Sequence, residues 1–204
     1  MQNNNTVSKN RVASVLRFFD GSLRSDLLIM VVFCFAGVLC KKLINPVANA
    51  ITGALHIPGG ISTAVALRFL VIAASLTKRK WSASAMGMMQ AAMALAMGSM
   101  GSMGLLRPLA YLIPGIVIDL VMLIPEGKSG GLFTSRAKAF FANILSSVSA
   151  ALFADLVVFH LPTKPLMAYL CVAALSGAVC GFVAGAVVAP IKDADEKRGK
   201  NEEG

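Results

Sequence analysis

Six apolar runs alternate along the chain with short breaks rich in charge, glycine or proline. A helix needs about 20 mostly apolar residues to cross the core of a bilayer, and the long runs here supply several such lengths. The pattern predicts an all-α integral membrane protein with six transmembrane helices and both termini cytoplasmic. The predicted spans cover residues 26–55, 61–77, 82–104, 108–125, 138–160 and 165–190.

The spans divide the chain into three parts. Residues 1–25 form a basic cytoplasmic N-terminal segment, residues 26–190 the six-helix membrane domain, and residues 191–204 a charged cytoplasmic tail. The N-terminal segment lacks the compact apolar region and small-residue cleavage site of a signal peptide. We therefore expect the first helix to be retained.

Composition supports this interpretation. Hydrophobic residues make up 56% of the chain and charged residues 14%, and the mean hydropathy is +0.73. These values lie outside the usual range of soluble domains. The net charge of +9 does not predict nucleic-acid binding, because the basic residues lie between apolar runs rather than on one soluble face.

The positions of Lys and Arg determine the expected orientation. With the N-terminus in the cytoplasm, the inside segments hold fourteen of these residues, whereas the outside ends hold two, Arg107 and Lys164. Cytoplasmic loops of membrane proteins carry an excess of positive charge, so this partition favours both termini inside. Trp81 near the inner boundary and Tyr111 and Tyr169 near the outer boundary fit interfacial aromatic belts.

Span 1 carries a polar stripe that ends at the turn His56-Ile57-Pro58-Gly59-Gly60. Polar groups within membrane spans usually face a bundle interior or a water-filled cavity, so the stripe is a candidate solute-facing wall. The alternative is that these side chains only form hydrogen bonds with neighbouring helices. The stripe consists of Lys41, Asn45, Asn49, Thr52 and His56, which share one helical face.

Three more residues complete the candidate substrate-binding set: Arg68 in span 2, Tyr111 in span 4 and Asp155 in span 5. Arg68 and Asp155 are expected at a similar depth in the outer half of the membrane. Either they form a structural ion pair between two helices, or one of them binds a charged solute. Asp119 lies deeper, in span 4.

Small residues at four-residue intervals mark a helix-packing or partner interface in span 6. Such ladders let helix backbones approach closely in lipid, and we favour packing within the chain over packing on a partner. A weaker ladder, Ala83, Gly87 and Ala91, follows span 3. The span 6 ladder consists of Ala173, Gly177, Gly181, Gly185 and Ala189.

Metal binding and catalysis are not indicated. Met89, Met93, Met97 and Met100 share a face of span 3, and thioethers select Cu(I), but no Cys or His accompanies them in sequence. The four cysteines show no metal-ligand spacing and are expected to be buried thiols. No nucleophile or acid–base constellation emerges, so the chain is expected to be neither an enzyme nor a cofactor protein.

The chain resembles the substrate-binding S components of energy-coupling factor transporters. The resemblance covers residues 26–190 and is carried by the six spans with both termini inside, by the segment Ala54 to Gly60, and by the segment Leu112 to Leu120. It implies a high-affinity binder for a vitamin or similar micronutrient in a bacterial cytoplasmic membrane. It also implies partners: a membrane scaffold subunit and two ATPase subunits.

Two other functions stay open from the residues alone. A small ion-coupled secondary carrier would use Asp119 or Asp155 to take up a proton or sodium ion. A non-transport membrane scaffold would assemble a complex through the span 6 ladder. The identity and charge of the solute do not follow from the sequence.

Overall fold

The computed structural model describes residues 23–53, 60–77, 79–96, 106–124 and 134–202. Within these ranges the backbone is helical and contains no strand, so the all-α prediction is confirmed there. The order of helices along the chain follows the order of the predicted spans. The described residues form α1 (Leu23–Gly53), α2 (Gly60–Leu76), α3 (Ser82–Ala96), α4 (Arg107–Leu123), α5 (Ser135–Ala154) and α6 (Thr163–Glu202).

Local sequence explains several helix ends. Pro108 stands in the first turn of α4, where its missing N–H costs nothing, and the Thr134 hydroxyl accepts a hydrogen bond from the Ala137 N–H at the start of α5. α6 differs from the prediction because it continues through Glu202 into the segment expected to be a separate tail. Lys and Glu, frequent in this segment, are good helix formers, which accounts for the extension.

The helices run alternately up and down. The Arg79 guanidinium, in the link between α2 and α3, forms an ion pair with the Asp26 carboxylate near the start of α1, with an N–O distance of 3.4 Å. A cavity at the same end is lined by residues from this link, from the last turns of α2 and α4, from the start of α5 and from the late part of α6. The start of α1 and the late part of α6 therefore lie at one end of the bundle, which we call the basal end.

α2 is the central helix. It packs against α1, α5 and α6, while α4 packs against both α3 and α5. Leu70 and Val71 of α2 are fully buried together with Met86, Ile118 and Val188 from three other helices. One hydrophobic core thus joins all six helices.

The bundle has polar side chains within its apolar core and large apolar side chains on its outer faces. Fully or nearly fully buried polar side chains include Asn143, Ser146 and Asp119. Large apolar side chains on the outer faces are exposed, as expected where lipid rather than water is the solvent. On α1 and α6 these exposed side chains include Val31, Val32, Phe35, Leu43, Leu175, Val179 and Phe182.

Three helical segments are long and apolar enough to cross a membrane: Asp26–Val47, Ser135–Val157 and Thr163–Lys192. Two shorter apolar segments, Ser62–Leu76 and Pro108–Leu123, accompany them. Length and composition of the described helices are therefore compatible with a membrane protein.

The span 6 ladder packs within the chain, against α5. A Cβ atom added at Gly181 would lie 2.8 Å from the Phe140 carbonyl oxygen, and one added at Gly185 would lie 3.0 Å from that of Arg136. At Gly177 the nearest atom is the Asn143 carbonyl oxygen, also at 3.0 Å. Ala173 and Ala189, the ends of the ladder, are buried as well. We call this contact the α5–α6 seam.

A second glycine contact joins α3 to α4. A Cβ at Gly87 would lie 2.6 Å from the Tyr111 carbonyl oxygen, and a Cβ at Gly115 would lie 2.7 Å from that of Ala83. The two glycines therefore serve the same contact from opposite sides. Ala83 and Gly87 belong to the weaker ladder of the sequence, so that pattern also marks a packing surface.

Candidate functional site

Lys41 and Tyr111, two of the predicted binding residues, come together. The Lys41 ammonium nitrogen lies 4.9 Å from the centroid of the Tyr111 ring, within the range of a cation–π interaction. Both side chains are half-buried. The contact joins α1 to α4, although the two residues are 70 positions apart in sequence.

Two glycine contacts place a third polar side chain, Gln90 of α3, in the region of this pair. Gly37, one helical turn before Lys41 on α1, faces the Gln90 amide, and a Cβ at Gly37 would lie 3.0 Å from the Gln90 nitrogen. Gly87, one turn before Gln90, lies against the Tyr111 backbone. Lys41, Gln90 and Tyr111 thus converge from three helices, and we call them the α1–α3–α4 cluster.

The Gln90 amide nitrogen is buried and has no hydrogen-bond partner among the described residues. The side chain is only 3% exposed. An unpaired buried donor costs about 1–3 kcal/mol, so a group that pairs with it would be held favourably. Sequence reasoning missed Gln90, although a single carboxamide in an otherwise apolar helix is a recognisable signal.

Asn45, the next residue of the predicted stripe, does not extend the cluster. Asn45 is exposed. Its position on α1 is rotated by about 40° from that of Lys41, because four residues make slightly more than one helical turn. Of Asn49 and Thr52 only the backbone within α1 is described, and His56 with most of its turn lies outside the described residues.

Arg68 and Asp155 form no ion pair with each other in the described part of the chain. The Arg68 guanidinium carbon lies 5.0 Å from the centroid of the neighbouring Phe69 ring. The Asp155 carboxylate instead accepts a hydrogen bond from the Leu161 N–H at 2.9 Å. Of the two alternatives that the sequence left open for these residues, the structural ion pair is therefore not formed, because Asp155 caps the local backbone.

Asp155 closes the end of α5. Its backbone carbonyl accepts the His160 N–H at 2.8 Å across a wide π-type turn, Asp155–Phe159, and its side chain accepts the next N–H. His160 adopts a left-handed conformation with a φ of 47°. The carboxylate thus satisfies a backbone donor where the helix ends.

Asp119 caps the start of α3. Its two carboxylate oxygens accept the Ala83 N–H at 3.0 Å, the Ser84 N–H at 2.7 Å and the Ser84 hydroxyl at 2.6 Å. These amides are the ones that an N-cap side chain normally satisfies. Trp81, at the N-cap position with a φ of 66°, has no oxygen in its side chain, so an acid from α4 performs this role.

Tyr169 and Cys171 depart from their predicted surroundings. Tyr169 is buried and packs edge-to-face on Phe159 at 6.3 Å between ring centroids, so it does not belong to an exposed aromatic belt. Cys34 and Cys180 are buried as expected, but Cys171 is exposed. Cys171 lies on α6 between exposed apolar side chains, a position suited to lipid contact.

Cys34 also meets the methionine stripe of α3, which its sequence position did not reveal. Its sulfur lies 3.9 Å from the Met93 sulfur and 3.7 Å from the Met86 carbonyl oxygen. Among the described residues no group of three His, Cys, Asp or Glu side chains is placed as metal ligands would be. The contact is a packing contact of soft, polarisable side chains in the core.

No protein-family model, curated protein or solved structure matches the chain. The functional assignment therefore rests on the α1–α3–α4 cluster and on the distribution of polar and charged groups around it.

Proposed function

We propose that the chain is the membrane-embedded binding subunit of an uptake system for a vitamin or similar micronutrient, as in S components of energy-coupling factor transporters. The observation that carries the proposal is the α1–α3–α4 cluster. It combines a cation held over an aromatic ring with a buried amide donor that has no partner. Ligand sites commonly pair apolar and aromatic walls with a few polar groups that fix orientation.

The depth of the cluster supports this role. Gln90 lies nine residues after Trp81, or roughly 14 Å along the helix, so the cluster would lie in the middle of a bilayer about 30 Å thick. The basic residues at the basal end favour the cytoplasm for that end. A solute at the cluster would then be separated from the cytoplasm by the lower half of the bundle.

The chemistry of the cluster suggests the kind of solute. Lys41 offers a positive charge and Gln90 offers an N–H donor, while Tyr111 offers an aromatic face. A small planar or heterocyclic molecule with a carbonyl, carboxylate or phosphate oxygen would use all three. The described helices supply no nucleotide-hydrolysing motif, so energy would come from a separate scaffold subunit and two ATPase subunits.

The alternatives have less support. An ion-coupled carrier needs a carboxylate that can gain and lose a cation, but Asp119 and Asp155 are both engaged in capping backbone amides. An assembly scaffold would need a free ladder on α6, but that ladder is buried against α5.

A thermal-shift screen of the detergent-purified chain against vitamins and their precursors tests the proposal. Tight binding to the folded state raises the unfolding temperature in proportion to RT ln(1 + [L]/Kd), so the cognate solute is expected to give a large shift. Lys41→Met and Gln90→Leu are expected to abolish that shift, whereas Lys42→Met, on the exposed side of α1, is expected to retain it.

Uptake in cells supplies the second readout. Accumulation of the solute is expected to require ATP hydrolysis by copurifying ATPases. Uptake that persists without those ATPases, or a folded protein that responds to no micronutrient, would refute the proposal.

A further inference from the structure

A second polar site, distinct from the α1–α3–α4 cluster, lies at the basal end of the bundle. It is a cavity of about 260 Å³ between α2, α4, α5 and α6, and we call it the basal cavity. At a share of roughly 30 Å³ per water molecule it has room for several waters or for a small polar group. Its lining includes Thr77, Arg79, Lys80, Trp81, Lys138 and Lys192.

The basal cavity is strongly cationic. Four basic side chains line it, and they come from three separate segments of the chain: Arg79 and Lys80, Lys138, and Lys192. Lys138 is only 5% exposed. Like charges gathered around a partly dry cavity repel one another, so an anion placed among them would lower the electrostatic energy of the folded state.

The acids near the cavity have other partners. Asp119, the one carboxylate among the described lining residues, accepts three hydrogen bonds at the start of α3, and its charge lies at the positive end of that helix dipole. Asp26 pairs with Arg79. Lys138 and Lys192 also have interactions within the protein. The described lining holds four basic side chains and one carboxylate.

Two of the three hydroxyl groups in the lining, those of Ser75 and Thr77, donate within α2. The Ser75 hydroxyl donates to the Val71 carbonyl at 2.7 Å, and the Thr77 hydroxyl donates to the Ala73 carbonyl at 2.8 Å. The N–H groups of lysine and arginine, together with the Ser82 hydroxyl, are thus the donors left for an incoming anion. Several such donors around one cavity match the oxygens of a phosphate group.

Apolar side chains next to the charges indicate where the anion comes from. Trp81 and Leu123 line the same cavity and are about half exposed, so the cavity borders both a charged and an apolar surface. Tryptophan favours the headgroup level of membranes, and basic pockets between helices on the cytoplasmic side bind anionic headgroups. A lipid would place its phosphate among the lysines and its chains along the exposed apolar helices.

We propose that the basal cavity binds a phosphate-bearing anion, with the headgroup of an anionic phospholipid as its source. The inference uses the membrane setting of the proposed function but not its solute, because the basal cavity and the α1–α3–α4 cluster share no residue. Loss of one activity is therefore distinguishable from loss of the other.

The experiment measures the unfolding temperature of the full chain in detergent micelles doped with phosphatidylglycerol or with phosphatidylcholine. Phosphatidylglycerol is expected to stabilise the protein and phosphatidylcholine is not. The double variant Lys80→Gln/Lys192→Gln is expected to bind phosphatidylglycerol about 25-fold more weakly, since each basic residue near a membrane surface contributes about fivefold. The matched control Lys42→Gln/Lys164→Gln removes the same charge outside the cavity and is expected to bind like the parent chain.

Equal responses to the two lipids, or equal losses in both double variants, would overturn the proposal. A third arm adds inorganic phosphate without lipid. Stabilisation by phosphate that also removes the response to phosphatidylglycerol supports the anion site and assigns free phosphate as its occupant. If the Lys80→Gln/Lys192→Gln variant does not fold, Lys80→Gln alone, at an exposed position, carries the test with an expected fivefold loss.

Discussion

The α5–α6 seam and the α1–α3–α4 cluster each hold a carboxamide side chain inside the bundle, in opposite circumstances. In the seam, the Asn143 amide nitrogen donates to the Gly177 carbonyl at 2.8 Å, and backbone atoms of α5 fill the space beside the glycines. In the cluster, the Gln90 amide nitrogen has no partner among the described residues, and half-buried Lys41 and Tyr111 lie nearby.

The difference separates packing from recognition. The seam also contains the Asn143 amide oxygen and the Ser147 hydroxyl, which have no hydrogen-bond partner among the described residues. Contacts between its glycines and the backbone of α5 leave no room there for a solute. The cluster combines an unpaired donor with a cation and an aromatic ring. A buried polar side chain alone therefore does not mark a binding site in this bundle. A buried polar side chain beside half-buried side chains, as in the cluster, does.

The largest expected effect comes from filling the seam. In Gly181→Val the new Cβ would lie 2.8 Å from the Phe140 carbonyl oxygen and 2.9 Å from its Cα, so the two helices must separate. We expect a loss of about 3 kcal/mol in the free energy of unfolding, measured by chemical denaturation in detergent. The control Ala186→Val, on the exposed face of α6, is expected to be neutral. Equal stability of the two variants would show that the seam is not close-packed.

Asp119→Ala tests whether this buried acid, which lies on α4 and caps the start of α3, stabilises the fold or takes part in transport. Removing the acceptor of two backbone amides and a hydroxyl is expected to cost about 2 kcal/mol of unfolding free energy. Asp119→Asn keeps an acceptor oxygen and is expected to lose less. A stable Asp119→Asn protein that has lost solute uptake would instead favour the ion-coupled carrier.

Gln90→Leu and Asn143→Leu sharpen the comparison directly, because their effects on stability are expected to have opposite signs. Gln90→Leu removes a buried donor without a partner and is expected to raise the unfolding free energy by about 1 kcal/mol while abolishing the solute-induced thermal shift. Asn143→Leu removes the hydrogen bond to Gly177 and is expected to lower it by about 1 kcal/mol. Destabilisation by Gln90→Leu would mean that its amide already has a partner.

The smallest expected effect concerns Arg68 and Asp155. Because their side chains form no ion pair, the effects of Arg68→Ala and Asp155→Ala on stability are expected to add, with a coupling below about 0.5 kcal/mol. A double-mutant cycle on the unfolding free energy measures this coupling. A coupling above about 1 kcal/mol would restore the structural pair that the sequence suggested.

Much of the architecture could be predicted from local pattern. The apolar runs located the six described helices, and the four-residue spacing of Gly177, Gly181 and Gly185 marked a close-packed face before its partner was known. These properties depend on residues that are near one another along one helix. The periodicity of residues within one helix is therefore enough to predict these properties without knowledge of the fold.

The sequence by itself determined an all-helical chain with apolar spans, a small-residue face on its last helix and an uneven distribution of basic residues. Only the tertiary structure decided that α5 fills that face, that Asp119 caps α3, that Lys41 meets Tyr111 beside Gln90, and that four cations surround one cavity. Each of these contacts joins residues from different helices. A helix pattern states which face is polar or small, but the packing of the whole bundle selects which other helix that face meets.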